Sequence, residues 1–386
     1  MGPLKVYIIA GEASGDRLGA ALMAGLRQLA PGVTFHGIAG PQMQANGMTS
    51  LFPMDELSVM GLAEILPNYF HLKRRIAETA ADVLHVRPDV LITIDSPDFC
   101  LRVARQVKAS APIRTVHYVA PSVWAWRPGR AKKMARVIDH VLALLPFEPP
   151  YMQAVGMDCD FVGHPVVSEP VATAAEATAF RALLATQGPV ILTLPGSRRS
   201  EVTRLMPVFA ATLARIAQTH PTARVVIPTT PNVTGLVIDG TRDWPLRPVI
   251  LDPRAMPLDA YLAQKRAAFA AADVALAASG TVSLELAASA TPMVIAYDMA
   301  PLSRFLIARM LRIDTVTLVN LVSDTRVIPE FIGTRCRPDL IAPALLATLA
   351  NPDQQRAAMA LTMERLGQGG EPPGLRAARA VLARLP

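Results

Sequence analysis

The sequence predicts an α/β protein of two parallel-sheet domains facing each other, closed by a helical tail. Three observations carry that reading. An apolar run, a turn of small polar residues and a helix-compatible segment occur in that order twice, at KVYIIAGEASGD (5–16) and VILTLPGSRRSE (190–201). Strand-like and helix-like stretches alternate through both halves, the pattern of right-handed βαβ crossovers on a parallel sheet. Aromatic residues are only 5% of the chain while hydrophobic residues reach 51%, a mix of Ala, Val, Leu and Ile that favours α/β layers over a β-sandwich.

The elements follow in order. Apolar runs at 4–10, 90–94, 114–119 and 139–145 read as buried strands of the first domain. Helical periodicity falls near 15–30, 72–87, 97–110 and 129–137. Around 165–189 the texture changes, with Pro165, Pro170, an Ala-rich stretch and then Gly188-Pro189. The first domain is therefore drawn as 1–165 and the second as 189–350. In the second, strands are expected near 190–194, 224–228, 273–277 and 293–297. Its helices are expected near 201–219, 258–271, 281–290 and 302–312. A tail at 351–386 reads as helix, broken near Asn351-Pro352 and between Gly367 and Pro373. No short-period repeat is present.

With 386 residues and only 18% charged residues, global disorder is excluded. The net charge of +7 and a pI near 9.6 point to nucleic acid, an anionic membrane or a phosphorylated substrate. No Lys/Arg-rich tail and no RNA-binding aromatic signature supports nucleic acid. A mean hydropathy of +0.31 favours an apolar ligand or a membrane surface. Cys100, Cys159 and Cys336 are too few and too scattered for a disulfide framework or a zinc site, and the histidines show no metal spacing. A reducing cytoplasm is the expectation, with no metal and no cofactor. The chain opens on a strand rather than a signal peptide, and no run of 18 apolar residues predicts a membrane span.

The chemistry-bearing residues cluster after strands. Pro195-Gly-Ser-Arg198 ends a strand and enters a helix; Gly196 admits a close ligand, Ser197 adds a hydroxyl and Arg198 offers a fork suited to phosphate. A tight turn with a solvated arginine would look the same. Ser279-Gly280-Thr281 follows another strand and opens a second helix, and Glu285 lies one helical turn past Thr281, where it could accept hydrogen bonds from ribose hydroxyls. An N-cap with an exposed glutamate is the plainer alternative. Two anion-type loops in one domain describe a nucleoside diphosphate. Neither loop carries a Walker or GxGxxG pattern, which disfavours NAD.

In the first domain Glu12, Ser14 and Asp16 share a loop with too much negative charge to hold an anion, so it is expected to bind hydroxyls. Asp95 ends the strand at 90–94, at the carboxyl edge where parallel sheets bind ligands. There it could act as general base toward an alcohol, or merely cap the next helix. Trp124, Trp126 and then Arg127, Arg130, Lys132 and Lys133 follow a strand; Arg127 suits a phosphate on an acceptor, although a solvated basic face has the same composition. Residues 60–75 and 301–312 combine apolar and basic positions and suit either an anionic membrane surface or an ordinary core-facing helix. His164 sits at the domain boundary and could line the cleft or pack.

GEASGD (11–16), VMGLAE (59–64), DSPDF (95–99), PSVWAWR (121–127), FVGHP (161–165), LPGSR (194–198), SGT (279–281) with Leu284-Glu285, and Asn320-Leu321 occur in this order. Together they closely resemble the lipid-A-disaccharide synthase family of Gram-negative bacteria, from residue 5 to about 331. The resemblance implies a GT-B glycosyltransferase with the UDP-sugar mainly in the second domain. It implies transfer of 2,3-diacylglucosamine from UDP-2,3-diacylglucosamine to the 6-hydroxyl of 2,3-diacylglucosamine 1-phosphate, with inversion, giving a β-1,6-linked disaccharide. It also implies a peripheral inner-membrane enzyme without a required catalytic metal. Asp95 matches the family's proposed base, and Asn320 would sit near the nucleotide. The family's C-terminal helices can exchange between subunits, which suits the long tail and admits a homodimer. The chain departs from the family at Gly333, where Gln is usual after PEFI, and at Gly37-Ile-Ala-Gly40, where Gly-Ile-Gly-Gly is common. The rival readings are another GT-B transferase, a UDP-GlcNAc 2-epimerase, or a catalytically silent UDP-sugar-regulated protein of the membrane surface.

Overall fold

Eight buried apolar runs become the interior strands of two six-stranded sheets, and all strand pairs are parallel. The computed structural model describes residues 2–57, 62–300, 304 and 309–385, with 62–69 as backbone only. It divides into two compact units. Unit 1 is residues 1–168 with 369–386, and unit 2 is residues 169–368.

Unit 1 holds β1 (Lys5–Ala10), β2 (Thr34–Ile38), β3 (Val90–Ile94), β4 (Arg114–Tyr118), β5 (His140–Ala143) and β6 (Asp158–Phe161), in the order β2-β1-β3-β4-β5-β6. Its helices are α1 (Ala13–Leu29), α2 (Pro41–Ala45), α3 (Leu62–Val86), α4 (Pro97–Ser110), α5 (Gly129–Met134) and α6 (Pro149–Gln153). Unit 2 holds α7 (Ala174–Leu183), β7 (Val190–Leu194), α8 (Arg199–Thr219), β8 (Arg224–Pro228), α9 (Thr234–Gly240), β9 (Val249–Leu251), α10 (Leu258–Ala271), β10 (Val274–Ala277), α11 (Val282–Ala288) and β11 (Met293–Tyr297). It continues with α12 (Leu318–Ser323), β12 (Glu330–Ile332), α13 (Pro338–Ala350) and α14 (Asp353–Arg365), and its strand order is β12-β11-β10-β7-β8-β9.

The order of strands reverses once in each sheet, between β1 and β3 and between β7 and β10. At such a switch point the loops diverge to opposite faces and leave a crevice outside the carboxyl ends of the strands. The four loops singled out in the sequence follow β1, β3, β7 and β10, so the topology gathers them in pairs at the two crevices.

The strands at 34–38, 158–161, 249–251 and 330–332 were not expected. All four are sheet edges, partly exposed and short, and so lack the continuous apolar run of a strand buried on both faces. The helix expected at 72–87 starts at Leu62 instead. Most of the helix expected at 302–312 lies outside the described residues.

The segment 351–386 is divided between the units. α14 packs against α11 and α12 in unit 2, whereas α15 (Pro373–Leu382) returns to unit 1 and packs along α1. Their backbones approach closely: a Cβ on Gly374 would lie 2.6 Å from the Ala21 carbonyl oxygen, and one on Gly25 2.7 Å from that of Gly374. Arg384 fixes the far end, pairing with Asp158 at 2.9 Å and Asp160 at 2.7 Å.

Candidate active site

In unit 1 the loops after β1 and β3 touch. A Cβ on Gly11 would lie 2.4 Å from Ser96 Oγ, so only glycine lets the two loops close. Asp95 and Ser96 take left-handed backbone, with φ of 51° and 42°, before Pro97 opens α4. Ser96 occupies the N-cap position, and no side chain caps the helix. Asp95 is therefore not spent as a cap. Its N–H donates to the Tyr118 carbonyl at 3.0 Å, while its carboxylate has no hydrogen-bond partner among the described residues.

Asp95 lines a cavity of about 920 Å³ within unit 1, bounded by α4, the end of β4 and the segment 119–137. Arg127 lines it too, its guanidinium 4.5 Å from the centre of the Trp126 ring. Trp124 is held from behind, edge-on to Phe147 at 5.1 Å and donating to Glu148 Oε1 at 3.2 Å. Glu148 is buried and also accepts the Leu145 N–H, and burial pushes its carboxyl up to about 7. His117 lies against the cavity with Nδ1 2.7 Å from Thr93 Oγ1; burial pushes its imidazole down to about 4, so it is neutral near pH 7.

The first-domain acidic loop does not act as a unit. Glu12 precedes α1 half-buried, and Ser14 is exposed in its first turn. Asp16 is buried, and its carboxylate accepts the N–H groups of Gly40 (3.0 Å), Gln42 (2.8 Å) and Met43 (3.0 Å). It holds the start of α2 and is not presented to a ligand, which corrects the expectation that it binds acceptor hydroxyls. A carboxylate satisfied by three buried donors has little left to offer.

In unit 2 the loop after β7 turns at Gly196, φ 112°. The N–H groups of Ser197 and Arg198 converge on a carboxylate, that of Glu201, at 3.2 and 3.3 Å. The loop is thus shaped for an anion, and Glu201 supplies one from its own chain. Arg198 Nη1 meets the same carboxylate at 3.1 Å, but its side chain is 66% exposed and free to turn outward. Asn232 anchors the loop by donating to the Ser197 carbonyl at 3.0 Å.

After β10, Ser279 is half-buried while Gly280 and Thr281 are exposed. Gly280 has φ 157° and open space where a Cβ would stand. α11 spans only seven residues, so free N–H groups rather than a long-helix dipole are what this turn offers. Glu285 pairs with Lys265 at 2.6 Å through Oε2 alone, leaving its second oxygen for a hydroxyl donor.

Asn320 is the second correction. It is buried, with Nδ2 donating to Thr315 Oγ1 and the Ile328 carbonyl and Oδ1 accepting the Ile328 N–H. It braces the segment before β12 and is not available to a nucleotide. Gly333 has φ 61°, and the Arg304 stem packs over it 3.2 Å from where a Cβ would sit, so the space of a larger side chain is already filled. His164 accepts the Val166 N–H and is packed rather than free. The basic residues before 75 are only partly free: Arg75 is locked to Glu56 at 2.7 Å and stacks on Phe52. The rest of the proposed membrane-facing stretch, from 60 to 69, and 301–303 with 305–308 lie outside the described side chains. Among the described residues no helix is long and apolar enough to cross a membrane.

Sequence reasoning missed Arg102 and Arg105 on α4 and the part played by Glu201. The two arginines, spaced i and i+3 after Asp98, resemble any solvated helix face. Glu201 three residues past Arg198 carried a capping-box spacing that could have been used.

The two-sheet architecture is that of GT-B enzymes. MnaA of S. aureus in a UDP co-structure superposes with a TM-score of 0.64 at 12% identity, covering 98% of this chain and 95% of that one. MurG of Acinetobacter baumannii gives 0.56 at 14% identity, covering 99% of each. At these identities the likeness concerns the fold alone. A family model described as lipid-A-disaccharide synthetase matches residues 6–378. A lipid-A-disaccharide synthase of Ruegeria pomeroyi is 65% identical over 99% of this chain and 96% of its own length. One of Rhodospirillum centenum is 47% identical over 99% and 95%. The chain belongs to the lipid-A-disaccharide synthase family and is a UDP-sugar glycosyltransferase of lipid A biosynthesis.

Proposed function

We propose that the protein transfers 2,3-diacylglucosamine from UDP-2,3-diacylglucosamine to the 6-hydroxyl of 2,3-diacylglucosamine 1-phosphate, with inversion, yielding the β-1,6-linked disaccharide 1-phosphate and UDP. The observation that carries the reading is Asp95: a carboxylate at the carboxyl end of β3, relieved of capping and facing a large cavity. It takes the proton of the acceptor hydroxyl as that oxygen attacks the anomeric carbon. The bond from that carbon to the diphosphate breaks, and its electron pair leaves with UDP. The growing charge on the β-phosphate is met by Arg198 and by the N–H groups of the two unit 2 loops, whose placement supports this role. Glu201 gives up those donors when the diphosphate arrives. Ser197, Ser279, Gly280 and Thr281 contact the phosphates, and Glu285 holds ribose. On the acceptor side Glu12 and Ser14 bind hydroxyls and Arg127 faces the phosphate.

The enzyme works on the cytoplasmic side of the inner membrane as a peripheral protein, drawn to anionic lipid by its net charge of +7. The test is UDP release by the purified protein given the UDP-sugar, with and without the acceptor. Acceptor-dependent release with a disaccharide product is expected. A product formed from the UDP-sugar alone would turn the assignment toward an epimerase, and no turnover in detergent or with liposomes would overturn it.

A further inference from the structure

Five basic side chains surround the unit 1 cavity: Arg102 and Arg105 from α4, Arg127, Arg130 and Lys133 from the segment that follows β4. None of them forms an ion pair with a carboxylate among the described residues. In the same unit Arg75, Lys108, Arg114 and Arg384 do, whereas scattered residues such as Arg87 and Arg136 also lack such a pair among the described residues; what sets these five apart is that they line one hollow. Arg127 and Arg130 are instead steadied from one side by the Trp126 ring, at 4.5 and 5.5 Å. Against five cations the lining holds two carboxylates, Asp95 and Asp98, so the hollow carries an excess of positive charge that an anionic ligand would offset. Between them the wall is apolar, built by Leu101, Val119, Met134 and Val137. A volume of about 920 Å³ is that of a small-molecule site.

The backbone points the same way. Asp95, Val119 and Arg127 line the cavity with φ of 51°, 85° and 49°. A β-branched residue at φ 85° is a genuine outlier, and such strain collects at binding sites.

Along α4 the lining of the cavity changes sign. Asp95 and Asp98 lie at the start of α4, whereas Arg102 and Arg105 stand about 8 and 12 Å further along its axis from Pro97 at 1.5 Å per residue. A ligand with a hydroxyl at one end and an anion at the other is matched in sense.

We propose that this cavity is the seat of the acceptor, and that Arg102 and Arg105, with Arg130 and Lys133, grip its phosphate monoester while the apolar wall takes the first methylenes of an acyl chain. The proposal rests on the acceptor reading above and deepens it. It adds the α4 arginines as specificity residues that distinguish a phosphorylated from an unphosphorylated acylated sugar. Guanidinium forks suit a phosphate, and their loss removes charge-assisted hydrogen bonds.

The test uses the full chain and Arg102→Gln/Arg105→Gln, assayed at saturating UDP-sugar with 2,3-diacylglucosamine 1-phosphate and with 2,3-diacylglucosamine. The KM for the phosphorylated acceptor is expected to rise about tenfold to a hundredfold, with the change carried by KM rather than kcat. UDP affinity should stay within about twofold. The preference for the phosphorylated acceptor should shrink, and Arg102→Lys/Arg105→Lys should recover part of it. An unchanged KM, or an equal loss with both acceptors, overturns the proposal. If the double variant instead loses binding to anionic vesicles that hold no acceptor, with the acceptor KM unchanged, the arginines serve lipid headgroups and the proposal is wrong. Should the wild type show no turnover, the reaction assignment fails separately. Direct calorimetric titration of the acceptor phosphate into the wild type and the double variant then decides the cavity: weaker binding by the variant supports it and equal binding rejects it.

Discussion

In the proposed reaction Asp95 serves as the base and Arg198 as the anion partner, and each role makes its own prediction. Asp95→Asn keeps the shape but not the proton acceptor, so UDP affinity should hold while turnover falls about 10²–10⁴-fold. Near-normal turnover would sink the base assignment. Arg198→Ala should weaken UDP binding about tenfold to a hundredfold, read by calorimetry, because one charge-assisted contact to the diphosphate is lost. Unchanged affinity would take Arg198 out of the site. Glu148 gives a pH prediction. Its folded-state carboxyl is held near 7 against an ordinary value of 4.5, so the folded protein binds this proton more tightly than the unfolded chain. The stability that this confers is full below about 4.5 and is lost as pH rises through about 7, on the order of 3 kcal/mol. Glu148→Gln should flatten that part of the urea-unfolding profile; a profile as steep as the wild type's would show that another group titrates. At this scale sequence spacing placed Asp95, Arg198 and Arg127 at the ends of strands or in loops, where ligands bind. It misjudged Asp16 and Asn320, because a carboxylate that faces a ligand and one that holds a buried turn are the same letters until the N–H groups of Gly40, Gln42 and Met43 are found around it.

Among the elements, the eight strands legible in the sequence are the eight interior ones, and the four that were missed are the four edges. Burial on both faces forces an unbroken apolar run, as in Val90–Ile94, whereas an edge such as Thr34–Ile38 tolerates His and Gly. The pairing of α15 with α1 was likewise unreadable, since Gly25 and Gly374 are ordinary helix residues until their backbones meet. Gly374→Val would drive a side chain into the Ala21 carbonyl and should cost at least about 1–3 kcal/mol. Calorimetry should show a lowered transition; an unshifted one would mean that the two helices part without penalty.

For the whole molecule, the chain leaves unit 1 at residue 168, builds unit 2, and comes back at residue 369. The net charge of +7 acts at this scale. Co-sedimentation with anionic vesicles should be strong at about 0.05 M salt and largely lost toward about 0.5 M, as the screening length shrinks. Equal binding to neutral vesicles would show that charge does not drive it. By itself the sequence determined the α/β class, the doubled strand–loop–helix plan, the family and the loops to which the chemistry is proposed to belong. Those properties are written in local periodicity and in short runs of residues. The tertiary structure alone decided that the last helix belongs with the first unit, that Glu201 fills the anion loop, and that arginines of α4 join Asp95 around one cavity. Each of these depends on groups distant in the chain meeting in space, and no local pattern encodes such a meeting.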